Sequence, residues 1–176
     1  MMMINKIDNN VAYIIKRINE LGKIDPGKKV LQKMIFLMVE KGIPLNYEYG
    51  LHFYGPYCAS LSIVTDYLHA DGIIRINYTG NTHEMTLNDN IDAAPIGLTP
   101  EHLQAIDDVI DNFVKMSPSE LELLTTAIYA HTHLEDKSKK SVVGGVQKIK
   151  GEKYAPDMIY NSLNYFEYFE KSFSED

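Results

Sequence analysis

Apolar residues recur at three- and four-residue intervals in several segments of the chain, which is the spacing of amphipathic helices. Residues 8–22 form the first such segment, in which Asp8 or Asn9 can cap the start and Gly22 can end the helix. Residues 28–41 form the second. The pattern therefore predicts two amphipathic helices at the beginning of the chain.

A segment rich in strand-forming residues follows at 47–54, and Gly55-Pro56 interrupts it. Proline is well tolerated in the first turn of a helix, because its missing N–H group would have no partner there. A third helix is therefore predicted from about residue 57 to residue 70.

Two further strands, at 73–78 and 83–87, flank a short turn and predict a β-hairpin. Three helices followed by a hairpin, with a short strand between the second and third helices, is the order of a winged helix. The predicted fold class is mainly α with a small β-hairpin (α+β), built on a winged-helix-like core.

After a linker, the chain turns helical again, with capping signals at Thr99 and Ser117, each followed by proline. Residues 134–155 are polar and lysine-rich, and the Gly-Gly pair at 144–145 is more typical of a hinge or a helix break. Residues 156–170 predict a last helix.

These elements predict a winged-helix-like core at 1–92 and a helical extension at 99–176 that packs on it as one compact unit. The last residues, 172–176, are expected to fray. The single cysteine, Cys58, excludes an intrachain disulfide and favours a reducing compartment. No apolar run approaches a membrane span, and no secretory signal is recognisable, so the prediction is a cytoplasmic protein without a membrane partner.

Charge is spread unevenly along the chain. The formal net charge is −7, with +3 on residues 1–57, −11 on 58–136 and +1 on 137–176. The predicted third helix has no lysine or arginine, so conventional DNA recognition by this helix is disfavoured. A nucleic-acid-binding face, as an alternative to solvated charge runs, would use Lys28, Lys29, Lys137, Lys139, Lys140, Lys148, Lys150 and Lys153.

No motif of a catalytic nucleophile, a phosphate-binding glycine-rich loop or a zinc protease is present, so no catalytic residue and no cofactor is predicted. His131 and His133 have suggestive spacing, but residues two apart on a helix do not share a face, so no metal site is predicted. Cys58 is predicted to be buried and inert.

Tyrosines crowd around Gly55-Pro56, at positions 47, 49, 54 and 57. Tyrosine combines an apolar ring with a polar tip, so such a cluster suits a protein interface. It equally suits the core of a small domain, and the sequence leaves both interpretations open.

Three segments resemble the YwgA-like proteins, an uncharacterised prokaryotic family, and they occur in the same order. They are the "LQK" helix at 29–37, a segment at 52–57 that resembles the family's "YGPY" turn and a segment at 148–154 that resembles its "KGEKF". A more distant likeness is to the SocA-like antitoxin domain, also called Panacea, which has a similar "LQKLLY" helix and "yGP" turn. Thr132-His133 matches a Thr-His of that domain, but this chain lacks the tryptophan that follows there.

The Panacea resemblance implies a non-enzymatic protein that acts by binding a protein partner. The acidic middle of the chain and the tyrosine cluster lead to the prediction of a non-catalytic interaction or regulatory module of winged-helix type, antitoxin-like. A nucleic-acid-binding regulator and an enzyme of unknown class are the alternatives. A homodimer is left open. The candidate binding residues are Gln32, Lys33, Tyr47, Tyr49, Tyr54, Gly55, Pro56 and Tyr57.

Overall fold

The computed structural model describes residues 6–170 and places them in a mixed architecture of α-helices and two small antiparallel hairpins. The predictions for residues 172–176 lie outside this range. The helices are α1 (Lys6–Gly22), α2 (Lys28–Glu40), α3 (Ala59–Ala70), α4 (Pro100–Phe113), α5 (Pro118–His133), α6 (Lys139–Lys150), α7 (Pro156–Ser162) and α8 (Phe166–Glu170), with a 3₁₀ turn (Leu163–Tyr165) between the last two. The strands are β1 (Gly50–His52), β2 (Gly55–Tyr57), β3 (Ile74–Thr79) and β4 (Thr82–Leu87).

α5 lies at the centre of the molecule. Every residue from 121 to 128 is buried, and the helix contacts α2, β2, α6 and α7. One apolar core joins α1 and α2 to α4 and α5, and a smaller core lies between α5, α6 and α7. The helices of the predicted extension therefore share their core with the N-terminal helices.

Local capping chemistry sets the starts of α4 and α5 where the sequence predicted them. The side chains of Thr99 and Ser117 each accept a hydrogen bond from the backbone N–H three residues later. His102 and Glu120 complete the two capping boxes from the other side. The predicted cap of α1 is wrong, because this helix begins at Lys6 and contains both Asp8 and Asn9.

The predicted strand-to-helix corner at Gly55-Pro56 is also wrong. Gly55 and Pro56 belong to β2, which pairs antiparallel with β1, and α3 begins only at Ala59. Gly55 has φ +88°, a value that glycine adopts without the steric cost of a side chain. The chain therefore turns back through Phe53 and Tyr54 as a hairpin, and Pro56 lies in a strand rather than in a helix.

The predicted break at 144–145 is wrong as well, since both glycines lie inside α6. A side chain at Gly145 would stand 3.2 Å from a methyl group of Leu134 and 3.5 Å from Ala130. The small residue thus allows α6 to approach α5 closely. The last predicted helix is real but interrupted, because the 3₁₀ turn divides it into α7 and α8.

The β3–β4 hairpin forms where the sequence predicted a β-hairpin, with Ile74 opposite Leu87 and Thr79 opposite Thr82. The strand between α2 and α3 pairs with β2 and not with this hairpin in the described residues. Within residues 6–170, no helix has the length and apolar character needed to cross a bilayer.

Candidate functional site

The β1–β2 hairpin carries two exposed aromatic residues at its tip. His52 pairs with Gly55, so Phe53 and Tyr54 alone form the turn. Their rings contact each other edge to face, with centroids 4.9 Å apart. The side chains are 79% and 53% exposed, which makes the tip of the hairpin an apolar protrusion. We call residues 50–57 the aromatic hairpin.

Buried side chains of α2 hold the backbone of the aromatic hairpin. Lys33 Nζ donates a hydrogen bond of 2.6 Å to the carbonyl oxygen of Pro56. The side-chain amide of Gln32 donates to the Cys58 carbonyl at 2.8 Å and accepts from the Cys58 N–H at 2.9 Å. Since Lys33 and Gln32 are both buried, these bonds fix the hairpin and the start of α3 relative to α2.

A fully buried carboxylate lies behind the aromatic hairpin. Glu122 on α5 is 0% exposed and accepts charge-assisted hydrogen bonds from three lysines. The distances are 2.5 Å from Lys29 Nζ to Oε2, and 2.6 Å and 2.7 Å from Lys150 and Lys153 Nζ to Oε1. We call these four residues the Glu122 cluster. Lys150 Nζ also donates to the Phe53 carbonyl at 2.9 Å, which connects the cluster to the hairpin tip.

The local sequence explains how two of the lysines reach the same oxygen. Lys150 is the last residue of α6, and Gly151 follows it with φ +59°. The glycine ends the helix and turns the chain, so that Lys153 approaches Glu122 from the same side as Lys150. On α5, Glu122 lies one residue after the inward-facing Leu121, in a helix that is buried on all sides at this level.

The pKa values of Glu122 and Lys33 are both lowered, for different physical reasons. Burial alone would raise the pKa of Glu122, but the hydrogen bonds from its lysine partners outweigh burial and lower this pKa to about 2. Burial lowers the pKa of Lys33 to about 7, and the nearby Glu122 carboxylate opposes this shift without cancelling it. The Glu122 carboxylate is therefore ionised at neutral pH, while Lys33 titrates near neutrality.

We expect the Lys33 shift to appear in the pH dependence of stability. An unfolded lysine stays protonated to about pH 10.5, whereas folded Lys33 releases its proton near pH 7, so stability rises with pH between these values. The slope is at most about 1.4 kcal/mol per pH unit. Urea unfolding at several pH values between these limits should show this rise in the wild type and its loss in Lys33→Met. Lys148→Met, which changes an exposed lysine of α6, should keep the wild-type slope; an equal slope in all three proteins would contradict the assignment.

A cleft of about 690 Å³ opens beside the aromatic hairpin. The first half of α2 forms one wall, the start of α3 forms another, and the turn of the β3–β4 hairpin closes the far side. Lys29, Lys33 and Tyr54 line the end next to the hairpin. The lining of the cleft is mainly apolar.

The predicted tyrosine cluster divides between the core and the cleft. Tyr47 is buried, and half-buried Tyr49 packs edge to face on Phe36 and donates a hydrogen bond to the Gln32 carbonyl. Tyr54 and Tyr57 line the cleft instead. The core interpretation therefore holds for Tyr47 and Tyr49, while an interface role for Tyr54 and Tyr57 stays a prediction.

The predicted basic segments come together only in part. Lys29, Lys150 and Lys153 meet at Glu122, which makes them part of an ion-pair cluster. Lys28 pairs with Asp66 on α3 at 3.1 Å, and Lys137 donates to the carbonyl oxygens of residues 131 and 132 at the end of α5. Exposed lysines of α6 without such contacts are Lys139, Lys140 and Lys148.

The histidine pair lies in the last turn of α5. The His131 ring contacts Phe166, while His133 stacks on Tyr129 at 4.0 Å. No three side chains of His, Cys, Asp or Glu gather as metal ligands in the described part of the chain. Cys58 is buried, as predicted, with its Sγ 3.1 Å from the Ser60 hydroxyl.

Sequence reasoning missed three residues of this site: Glu122, Phe53 and Thr126. Thr126 is buried on α5, and its Oγ1 has no hydrogen-bond partner in the described structure. A signal for Glu122 was present, since it is a carboxylate in the otherwise uncharged run from 121 to 128. A buried charge needs a partner, so this residue should have been matched to one of the lysines.

Comparison with known proteins supports the resemblance that the motifs indicated. No family model matches the chain. The chain is 28% identical over 164 residues to the uncharacterized protein YwgA of Bacillus subtilis, a match that covers 89% of this chain and 93% of YwgA. The chain is YwgA-like. Because the similarity extends over nearly the full length of both proteins, it reflects more than one short motif.

The three YwgA-like motifs meet in space at the site described above. The "LQK" helix provides Gln32 and Lys33, the "YGPY" turn is the returning strand of the aromatic hairpin, and the C-terminal motif provides Lys150 and Lys153. Three segments that lie far apart in the sequence thus come together around Glu122 and hold the aromatic hairpin in place.

Proposed function

We propose that the chain is a non-catalytic protein-interaction module of winged-helix type, and that the tip of the aromatic hairpin and the adjacent cleft bind a segment of a different protein. The scaffold would resemble a winged helix in the order of α1, α2, α3 and the β3–β4 hairpin. The Panacea resemblance supports an antitoxin-like role, in which the protein acts by binding its partner.

The exposed aromatic tip on an immobilised hairpin carries this proposal. Aromatic residues dominate the binding energy of protein interfaces, particularly when they insert into a pocket of the partner. Phe53 is the most exposed large apolar side chain of the described residues, and its backbone carbonyl is fixed by Lys150. A preorganised protrusion loses little conformational entropy on binding, so it gains affinity relative to a flexible loop.

The surface of α3 favours a protein partner over nucleic acid. This helix exposes Ile63 and Tyr67 and contains Asp66, but no lysine or arginine. Nucleic-acid affinity depends on neutralising phosphates with basic side chains, which α3 does not supply. Exposed apolar residues next to the cleft instead extend the surface available to a protein.

A photo-crosslinking experiment tests the proposal. A photoreactive amino acid replaces Tyr54 in the full chain in its native cells, and the same replacement at exposed Tyr160 on α7 serves as the control. We expect a single protein to crosslink through position 54 and not through position 160. Crosslinks that join only two copies of this chain would contradict the proposal of a different partner.

The identified partner then allows a quantitative prediction for Phe53→Ala. Removing a hot-spot aromatic residue costs about 2–4 kcal/mol of binding free energy, so the dissociation constant should rise by roughly 30-fold or more. Calorimetric titration of the purified proteins measures this change. Tyr160→Ala should bind like the wild type. An unchanged affinity of Phe53→Ala for the partner would show that the hairpin tip is not part of the interface.

A further inference from the structure

We infer that the cleft recognises an acidic residue of the partner segment, placed next to an apolar residue, and that Lys29 is the group that binds this carboxylate. This inference rests on the proposed function and specifies the chemistry of the partner. The apolar neighbour would occupy the apolar part of the cleft, while the carboxylate would lie at the end formed by the aromatic hairpin.

The charges at this end of the cleft are not balanced among residues 6–170, which the structure describes. Three lysines share the single carboxylate of Glu122, which leaves an excess of two positive charges in the Glu122 cluster. Lys33 lies beside the cluster and donates its hydrogen bond to a carbonyl oxygen, with no carboxylate paired to it in the described part of the chain. The chain as a whole carries −7, so this positive region is a local feature of an acidic protein.

Lys29 is the member of the cluster that can reach a ligand in the cleft. Its side chain is 36% exposed and lines the cleft, whereas the Lys150 side chain is 5% exposed and donates to both Glu122 and Phe53. The Lys153 side chain is 44% exposed but does not line the cleft. The Lys29 ammonium also lies 5.0 Å from the centre of the Tyr54 ring. A carboxylate bound by Lys29 would therefore lie next to an aromatic surface suited to an apolar neighbour.

The far end of the cleft has the opposite charge. Asp25 and Glu84 line that end, where the Met85 N–H donates to the Pro26 carbonyl and joins β4 to the loop before α2. Lys28 is balanced by Asp66. A ligand with negative charge along its whole length, such as a nucleic acid, would meet these carboxylates, whereas a peptide with one acidic residue avoids them.

Selection from a random phage-displayed peptide library tests this inference on the full-length protein. We expect the selected peptides to be enriched in Asp or Glu beside an apolar residue. The strongest binder is then synthesised with a fluorescent label, together with a second version in which the acidic residue is replaced by its amide. Fluorescence anisotropy measures the affinity of both peptides for the wild type, Lys29→Met, Phe53→Ala and Lys148→Met.

Lys29→Met should weaken binding of the acidic peptide by about 10-fold or more, because a hydrogen bond between two charged groups is lost. The amide peptide should bind the wild type about as weakly as the acidic peptide binds Lys29→Met. Its affinity for Lys29→Met should be only slightly lower than its affinity for the wild type. This pattern would show that Lys29 and the acidic residue of the peptide interact. Lys148→Met should bind like the wild type. Two lysines remain on Glu122 in Lys29→Met, and its unfolding curve checks that the fold is kept.

The other outcomes separate this inference from the proposed function. Peptides that lose affinity in Phe53→Ala, but contain no excess of acidic residues and bind Lys29→Met normally, would overturn the inference and leave the interaction module in place. Selected peptides that are insensitive to both Phe53→Ala and Lys29→Met would overturn both. The remaining outcome is a labelled single-stranded oligonucleotide that binds the wild type at low salt and fails to bind Lys29→Met. That result would overturn the peptide assignment and identify the ligand as nucleic acid.

Discussion

Replacing Glu122 with glutamine is expected to lower the free energy of unfolding by about 3–5 kcal/mol, the cost of breaking a buried ion pair from one side. The amide has nearly the same shape as the carboxylate but no charge to balance the three lysines. Lys150 is the most buried of them, so its ammonium would remain desolvated without a counterion. Urea unfolding monitored by circular dichroism at neutral pH measures the loss.

The wild type should also lose this stabilisation in acid. The pKa of folded Glu122 is about 2, below the ordinary glutamate value of 4.5. A carboxylate with a lowered folded pKa stabilises the protein above its unfolded pKa and loses that contribution as the pH falls from about 4.5 towards 2. The difference in stability between wild type and Glu122→Gln should therefore shrink over this range.

Two variants control for the change of charge. Glu152→Gln removes an exposed carboxylate between Lys150 and Lys153 in sequence, and it should unfold like the wild type. In Lys150→Met, one of the three ammonium groups is absent, so adding Glu122→Gln should cost less than it does in the wild type. An equally small effect of Glu122→Gln and Glu152→Gln would show that the buried cluster does not stabilise the fold.

Sequence predicts the parts of this fold that depend on neighbouring residues. The starts of α4 and α5 were correct because Thr99 and Ser117 make their capping bonds within three residues. The β3–β4 hairpin was recognisable because its strands alternate and its turn contains Gly80. In each case the chemistry that fixes the element lies inside the element.

Sequence fails where distant residues decide the local structure. Phe53-Tyr54 has no turn signature, and the hairpin around it is held by Lys33 and by Lys150, which lies 97 positions from Phe53. Gly145 stays helical because α6 packs closely on α5 through it. The close approach of α6 to Leu134 thus outweighs the weak helix propensity of glycine.

The candidate site also combines residues that the sequence predicts with residues that only long-range packing brings together. Gln32, Lys33, Gly55 and Pro56 were identified from short motifs, but only as a group around the expected corner. Glu122, which lies beside Lys33 and Gly55, is in another part of the chain, and no spacing rule relates it to them. A single sequence contains the lysines and the carboxylate, but not the packing of α2, α5 and α6 that brings them together.

Replacing Gly55 with alanine is expected to destabilise the protein by about 2–4 kcal/mol, through backbone strain and overpacking together. At φ +88° a side chain is strained, and the new Cβ would stand 2.7 Å from Thr126 Oγ1 and 3.4 Å from Lys33 Nζ. Either the hairpin moves away from α5 or the Lys33 hydrogen bond to Pro56 is distorted. The loss is measured by urea unfolding.

Gly80 provides the matched control, because it also has a positive φ, of 59°, but has open space where a Cβ would lie. Gly80→Ala should cost only the backbone strain, about 1–2 kcal/mol, and the additional loss in Gly55→Ala reports the contact with Thr126. Since Thr126 Oγ1 makes no hydrogen bond in the described structure, Thr126→Ala should relieve that contact and restore part of the stability of Gly55→Ala. Equal losses at positions 55 and 80, with no rescue by Thr126→Ala, would mean that β2 does not pack tightly on α5, and the immobilised hairpin that supports the proposed interface would lose its structural basis.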